Sequence, residues 1–192
     1  MASIVLASGS PRRQELLRRM GIADFTVRVP QVEERCPPGL SPEDTVRRIS
    51  LEKSLATPSA PEELVITADT MVFLDGQRLG KPRDEAHALA MLRSLQGRRH
   101  TVCTGVTVRQ GDRTLCRARS TDVYFRPASD GELRAYIRGG EPMDKAGAYG
   151  VQGQGALLVE RIDGDFFNVM GLPVLLLSQM LAEFGVRLLS DE

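Results

Sequence analysis

Residues 64–68 read Leu-Val-Ile-Thr-Ala, an apolar run without the alternation of a strand that has one wet face. Such a strand is buried on both sides, so layers of chain must cover the sheet above and below. The 192 residues, 42% of them hydrophobic, are enough to build those layers as one domain, or as two small lobes sharing a core. The flanking pattern supplies them. Residues 3–7 and 25–29 read as strands, and 11–20 and 41–56 as helices with Ser10 and Ser41 at their starts. Residues 71–79 read as a hairpin turning at Asp75-Gly76, and 83–95 as an amphipathic helix. Two strongly alternating segments, 100–109 and 113–125, flank Gln110-Gly111-Asp112 as a long hairpin. Ser129 to Glu132 forms a capping box for a helix to about residue 138. A strand at 156–162 and a helix at 173–184 complete a mixed α/β pattern with a twisted sheet. No repeat, low-complexity run or long linker divides the chain, so residues 1–192 are expected to form one domain.

Charge narrows the function classes. With 25 basic and 25 acidic residues the net charge is zero, which argues against a general binder of nucleic acid. Only three of the basic residues are lysines, Lys53, Lys81 and Lys145; the other 22 are arginines. No stretch approaches the roughly 18 to 20 apolar residues of a membrane span. The start, MASIVLASGSPRRQELL, lacks the charged region that precedes a secretory signal. Cys36, Cys103 and Cys116 have neither paired nor metal-ligand spacing, which points to a reducing cytoplasm, with Cys103 and Cys116 as buried small hydrophobes. His87 and His100 read as solvated or structural.

Four segments carry chemistry. In LASGSPRR, residues 6–13, a strand enters a small-residue turn and a helix begins with two arginines. Arginine is unfavourable there for the helix itself, because the amino end already carries partial positive charge. The hydroxyls of Ser8 and Ser10, the free backbone N–H groups and the guanidinia of Arg12 and Arg13 together make an anion site. The plainer alternative is a Ser-Pro cap with solvated arginines. In ITADTMVFLDGQRLGKP, residues 66–82, Asp69 stands at the end of the buried run, where open α/β sheets place their ligands. It is suited to orienting or deprotonating water, or to holding a divalent metal, with Lys81 as a compact cation for phosphate. The alternative is an aspartate closing a strand in a turn. Residues 76–81 are not a Walker A loop, because Pro82 stands where Ser or Thr should follow.

Between residues 140 and 165, Gly147, Gly150, Gly153 and Gly155 let backbone approach a flat ligand or a neighbouring strand. Gln152 among them offers an amide donor and acceptor suited to a base edge. A loop stiffened by bulges is the alternative. Finally, Glu33 and Glu34 are either solvated surface or, through Glu34, a partner of Asp69 on Mg²⁺, which favours one or two carboxylates plus substrate phosphates. Catalytic Ser-His-Asp groupings, paired cysteine or histidine metal motifs and the Nudix box are all missing. Carboxylate, lysine, arginine and hydroxyl remain: a set for handling phosphate.

SGSPRRQELL at 8–17, ADT with GKP at 68–82 and GEPMDKAGAYGVQG at 140–153, in this order, resemble the Maf family, the Maf/Ham1-like nucleoside triphosphate pyrophosphatases. The resemblance runs from Ile4 to about Leu177. It implies an elongated α/β molecule whose two lobes flank a central cleft, and hydrolysis between the α and β phosphates with a divalent metal, Mg²⁺ or Mn²⁺. By match to the family motifs, Ser8, Ser10, Arg12 and Arg13 bind phosphate, Glu34, Lys53, Asp69 and Lys81 form the catalytic cluster, and Asp69 accepts the proton. Glu34 and Asp69 are the implied metal ligands. Arg12, Thr70 and Gln152 occupy the specificity positions and resemble the branch acting on dTTP and UTP rather than on 7-methyl-GTP. Leu40 departs from the pattern, standing where relatives often carry an acidic residue. The implied role is nucleotide house-cleaning, with a nucleoside triphosphate as partner, no stable nucleic-acid complex, no membrane and a homodimer as the candidate assembly. A purine triphosphate pyrophosphatase and a nucleotide-binding regulator of septum formation are the alternatives.

Overall fold

The apolar run lies in a strand longer than its own five residues: the computed structural model, which describes residues 3–32, 36 and 39–189, extends it to eleven. Strand β1 (Ile4–Leu6) leads to helix α1 (Pro11–Arg19) and the short strand β2 (Thr26–Val27). Helix α2 (Pro42–Leu55) precedes β3 (Leu64–Leu74), which turns into β4 (Gln77–Leu79). Helix α3 (Glu85–Leu95), the adjacent strands β5 (Arg99–Gln110) and β6 (Arg113–Phe125), and helix α4 (Asp130–Arg138) follow. Short 3-10 turns then lead to β7 (Val159–Asp163) and the helices α5 (Phe166–Met170) and α6 (Val174–Glu183).

The strands form a seven-stranded sheet in the order β2-β1-β3-β5-β6-β7, with β4 paired to β3. Strand β1 is parallel to both β2 and β3, whereas β3 with β4 and β6 with β7 are antiparallel, so the sheet is mixed, as the sequence predicts. Among the described residues no helix is long and apolar enough to cross a membrane.

The chain forms two compact units. One takes in Met1–Asp69, Thr104–Arg119 and Gly171–Glu192; the other takes in Thr70–Cys103 and Ser120–Met170. In the first, α2 turns Val46 and Ile49 inward at i and i+3, and both are fully buried. Gly105 of β5 sets how closely helix and strand approach, because a Cβ there would lie 2.2 Å from the Val46 carbonyl oxygen. Ser50 and Thr107 share a buried hydrogen bond of 2.8 Å across the same contact. The Arg109 guanidinium donates to the carbonyls of Ser54 and Thr57 at 2.9 Å each, satisfying acceptors left open at the carboxyl end of α2. In the second unit Phe125, Tyr149 and His100 stack edge to face, with centroids 4.7 to 5.3 Å apart.

Local chemistry explains most element boundaries. Ser41 Oγ accepts the Asp44 N–H at the start of α2, and the Ser129–Glu132 capping box of α4 is complete in both directions. Asp84 accepts the His87 N–H, so α3 begins at Glu85 rather than at 83. Residues 154–158 wind as a 3-10 turn, which delays β7 to Val159. Helix α5 has no counterpart in the sequence reading, although the Asp165 carboxylate that accepts the N–H groups of Phe167 and Asn168 is a cap signal. Cys103 is buried, but Cys116 is only half-buried, at the mouth of the Ser50–Thr107 contact.

His100 is 2% exposed, and its Nε2 lies 2.8 Å from the Tyr149 hydroxyl. Burial lowers its pKa from the ordinary 6.5 to about 4, outweighing Asp122, which acts in the opposite direction. The unfolded chain therefore binds a proton between these values that the folded chain refuses, so stability is complete above 6.5 and falls as the pH drops towards 4. His100→Gln removes that titration. Over this window wild type is expected to lose roughly 3 kcal/mol relative to the variant, read by urea unfolding at several pH values. Parallel pH profiles would refute it.

Candidate active site

The turn between β1 and α1 is organised by a buried hydroxyl. Ser10 occupies the N-cap of α1 but makes no side-chain capping bond. Ser8, 7% exposed, accepts instead: its Oγ receives the Ser10 N–H at 3.3 Å and Arg13 Nη1 at 3.1 Å. Arg13 also donates through Nε to the Gly171 carbonyl at 2.8 Å, which fixes its guanidinium as a brace between α1 and the segment before α6. Nothing in the sequence around Gly171 signals that contact. Arg12 is half-buried and has no hydrogen bond or ion pair among the described residues. It follows Pro11 at a helix start that carries no acidic residue. Of the two arginines, Arg12 is therefore the one whose donors stay uncommitted among the described residues, at an already electropositive helix end.

Pairing of β1 with β3 continues past the strand end, since the Ala7 N–H donates to the Ile66 carbonyl at 2.8 Å. The turn thus leaves β1 at the end where β3 carries Ala68 and Asp69. Here the structure corrects the sequence reading: Asp69 lies inside β3, not at its end, because β3 runs on unbroken to pair Val72, Phe73 and Leu74 with β4. Asp69 is 5% exposed. Its Oδ1 accepts Lys53 Nζ at 2.6 Å, and Lys53 arrives from the last turn of α2. Its Oδ2 is buried and has no hydrogen-bond partner among the described residues.

A carboxylate oxygen left bare in the interior is a costly arrangement, and a cation or a water molecule to be deprotonated would satisfy it. Among the described residues no group of three or more His, Cys, Asp or Glu side chains is placed to hold a metal ion. One open carboxylate oxygen nevertheless fits Mg²⁺, which takes few protein ligands and completes its shell with phosphate and water. Glu34, the other carboxylate considered for a metal, lies outside the described residues.

Ser8, Ser10, Arg12, Arg13, Lys53 and Asp69 belong to one unit; Thr70, Lys81 and Gln152 belong to the other. In the second unit Thr70 follows Asp69 on β3 and is half-buried. Lys81 is exposed after β4, without a partner among the described residues. The neighbouring Gly80 carbonyl accepts the Gly147 N–H at 3.0 Å, tying the Lys81 segment to the glycine-rich one. Gln152 is exposed on a turn of that segment. The glycines admit close neighbours, as their spacing suggests, but those neighbours include side chains of the same unit. A Cβ on Gly153 would lie 2.2 Å from Glu141 Oε2, and one on Gly150 would lie 2.7 Å from Lys145 Cε. Gly147 instead packs against Val72 of β3.

Comparison with known proteins gives the chain a family and a fold. The family model described as Maf-like protein matches residues 3–184. A relative from Symbiobacterium thermophilum, named dTTP/UTP pyrophosphatase, is 48% identical over 186 residues, covering 96% of this chain and 95% of its own. Relatives of the same name from Bacillus velezensis and Methanosarcina barkeri are 46% and 43% identical, covering 96% and 100% of this chain and 97% and 98% of theirs. Among solved structures, the Staphylococcus aureus Ham1 protein superposes with a TM-score of 0.55 at 17% identity, covering 95% of this chain and 99% of that one. A HAM1 protein from Coxiella burnetii gives 0.52 at 13%, covering 95% and 100%. These two structures share the fold.

The brace role of Arg13 has a measurable consequence. Arg13→Lys keeps the charge but not the fork that reaches Ser8 and Gly171 together, so it is expected to destabilise the protein by about 1 to 2 kcal/mol. A lower urea midpoint at constant m-value would report this; an unchanged midpoint would show that both hydrogen bonds are dispensable.

Proposed function

The chain belongs to the Maf family, and on that footing we propose that it hydrolyses dTTP and UTP to the nucleoside monophosphate and pyrophosphate. The observation that carries the reading is Asp69, buried in β3 with Oδ1 held by Lys53 and Oδ2 unsatisfied. Such a carboxylate is oriented by one oxygen and available through the other.

Asp69 positions a water molecule through Oδ2 and takes its proton as the oxygen attacks the α-phosphorus. The bond from that phosphorus to the bridging oxygen breaks, and pyrophosphate leaves. Lys53 keeps the carboxylate in place. Arg12 and the positive dipole end of α1 bind phosphate oxygens, with Ser8, Ser10 and Arg13 shaping the turn that presents them. Lys81 supplies a mobile point charge for the leaving group. Thr70 and Gln152 discriminate the base; a uracil or thymine edge, with two carbonyls and one N–H, complements an amide that donates and accepts. A divalent cation, Mg²⁺ or Mn²⁺, would be held by Asp69 and by Glu34, and would supply charge neutralisation of the triphosphate. A house-cleaning role in the reducing cytoplasm, acting also on modified pyrimidine nucleotides, accords with three cysteines that form no disulfide.

With Mg²⁺ and a panel of triphosphates, pyrophosphate release is expected to be fastest from dTTP and UTP. Activity chiefly on 7-methyl-GTP or ITP would move the protein to the purine branch, and silence across the panel would favour a non-catalytic regulator. Asp69→Asn should lower kcat by about 10² to 10⁴ while largely preserving nucleotide binding; near-normal turnover would sink the assignment. Excess chelator should abolish turnover and added Mg²⁺ or Mn²⁺ restore it. Turnover that persists in chelator would remove the metal from the proposal.

A further inference from the structure

Glu141, in the 3-10 turn after α4, is a half-buried carboxylate outside the chemistry assigned above, and it accepts three donors from its own unit. Its Oε1 accepts the Tyr136 hydroxyl at 2.9 Å and the Gly155 N–H at 3.1 Å; its Oε2 accepts the Gln154 N–H at 2.8 Å. Tyr136 in turn accepts the Gly150 N–H at 3.1 Å. The backbone is therefore tied at Gly150 through the phenol and at Gln154 and Gly155 through the carboxylate. Between those anchors, on the exposed turn, stands Gln152.

We propose that Glu141 is a positioning residue for base selection, a carboxylate clamp that holds the Gln152 turn in the geometry that reads a pyrimidine. The inference rests on the assignment of Gln152 to base discrimination. The clamp is built for close approach on every side. A Cβ on Gly153 would overlap Glu141 Oε2 at 2.2 Å, and one on Gly155 would lie 2.5 Å from the Gly150 carbonyl and 2.7 Å from the Tyr136 hydroxyl. Lys145 reinforces it from below: Nζ donates to the Glu141 carbonyl and to Asp144 Oδ1, both at 2.7 Å, while its stem lies under Gly150. Burial raises the Tyr136 pKa further above its ordinary 10, which keeps the phenol protonated as a donor to Glu141. All these groups lie in one unit, so the clamp is internal to it. An amide on a loose turn would present donor and acceptor in many orientations, and its selectivity would fall with each of them.

Glu141→Gln keeps shape and size but returns an NH₂ group towards N–H donors, so at least one of the three bonds is lost. Amide exchange at Gln154 and Gly155 is expected to accelerate about tenfold or more while that of α4 is unchanged, because the opening is local. The ratio of kcat/KM for UTP over GTP should fall by about tenfold, mostly through KM for UTP, since positioning and not the phosphate chemistry is weakened. Inhibition by inorganic tripolyphosphate, which has no base, should stay within about twofold. Gly153→Ala forces the same clamp apart from the opposite side and should reproduce the loss even where Glu141→Gln folds poorly. Gln152→Ala separates the two readings. If it loses selectivity, and the double variant with Glu141→Gln loses no more, the clamp acts through Gln152. If Gln152→Ala loses selectivity and both clamp variants keep it, Glu141 is overturned and Gln152 stands. Selectivity unchanged in Gln152→Ala overturns the Gln152 assignment and the clamp proposal with it.

Discussion

A carboxylate inside a strand buried on both faces carries a desolvation penalty of several kcal/mol, and a nearby cation must offset it if the group is to stay charged. The contact between Lys53 and Asp69 does this at 2.6 Å, with both side chains largely out of solvent. Much of the surrounding unit is arranged so that the lysine can arrive. Gly105 lets α2 lie against β5 without an intervening Cβ, Ser50 and Thr107 pin the two together, and Arg109 closes the carboxyl end of the helix close to Lys53. Packing places the cation, and the cation keeps one carboxylate oxygen occupied while the other stays open.

The second unit solves a different problem. Its glycine-rich segment has little side chain with which to hold a fixed shape, and glycine gives up more backbone entropy on ordering than any other residue. The fixed shape comes from outside the segment, through the Tyr136 hydroxyl and the Glu141 carboxylate, and the glycines are what allow those groups to come so close. The sparse lysines acquire distinct meanings in this light. Lys53 is an ion-pair partner, Lys81 is exposed and uncommitted among the described residues, and Lys145 is a structural tie within the Glu141 turn.

Local signals in the sequence were reliable where the cause was itself local. The Ser129–Glu132 box and the Ser41 cap both mark helix starts that the structure confirms, since each depends on groups three residues apart. Asp69 was legible as a functional candidate, yet its placement at a strand end was not correct. Aspartate is uncommon in strands, and what lets it remain inside β3 is a lysine sixteen residues earlier, on another element. Helix α5 escaped because its hydrophobic residues show no period over so short a length, although Asp165 offered a cap. The brace from Arg13 to Gly171 spans 158 residues and leaves no local trace. Glycine spacing announced close approach without naming what approaches.

The two units are interleaved in the chain, and three strands carry the division: β3 between Asp69 and Thr70, β5 between Cys103 and Thr104, β6 between Arg119 and Ser120. Neither unit can be inherited or transplanted as a single cassette. The unit with Gln152 and its clamp is assembled from two stretches, and its interior is shared between them: Tyr149 of one meets His100 of the other, and Asn168 donates to the Val102 carbonyl. A chimera that exchanged only the later stretch would break those contacts. Grafting a new specificity onto this scaffold therefore requires moving both stretches together, or leaving both in place and altering individual side chains.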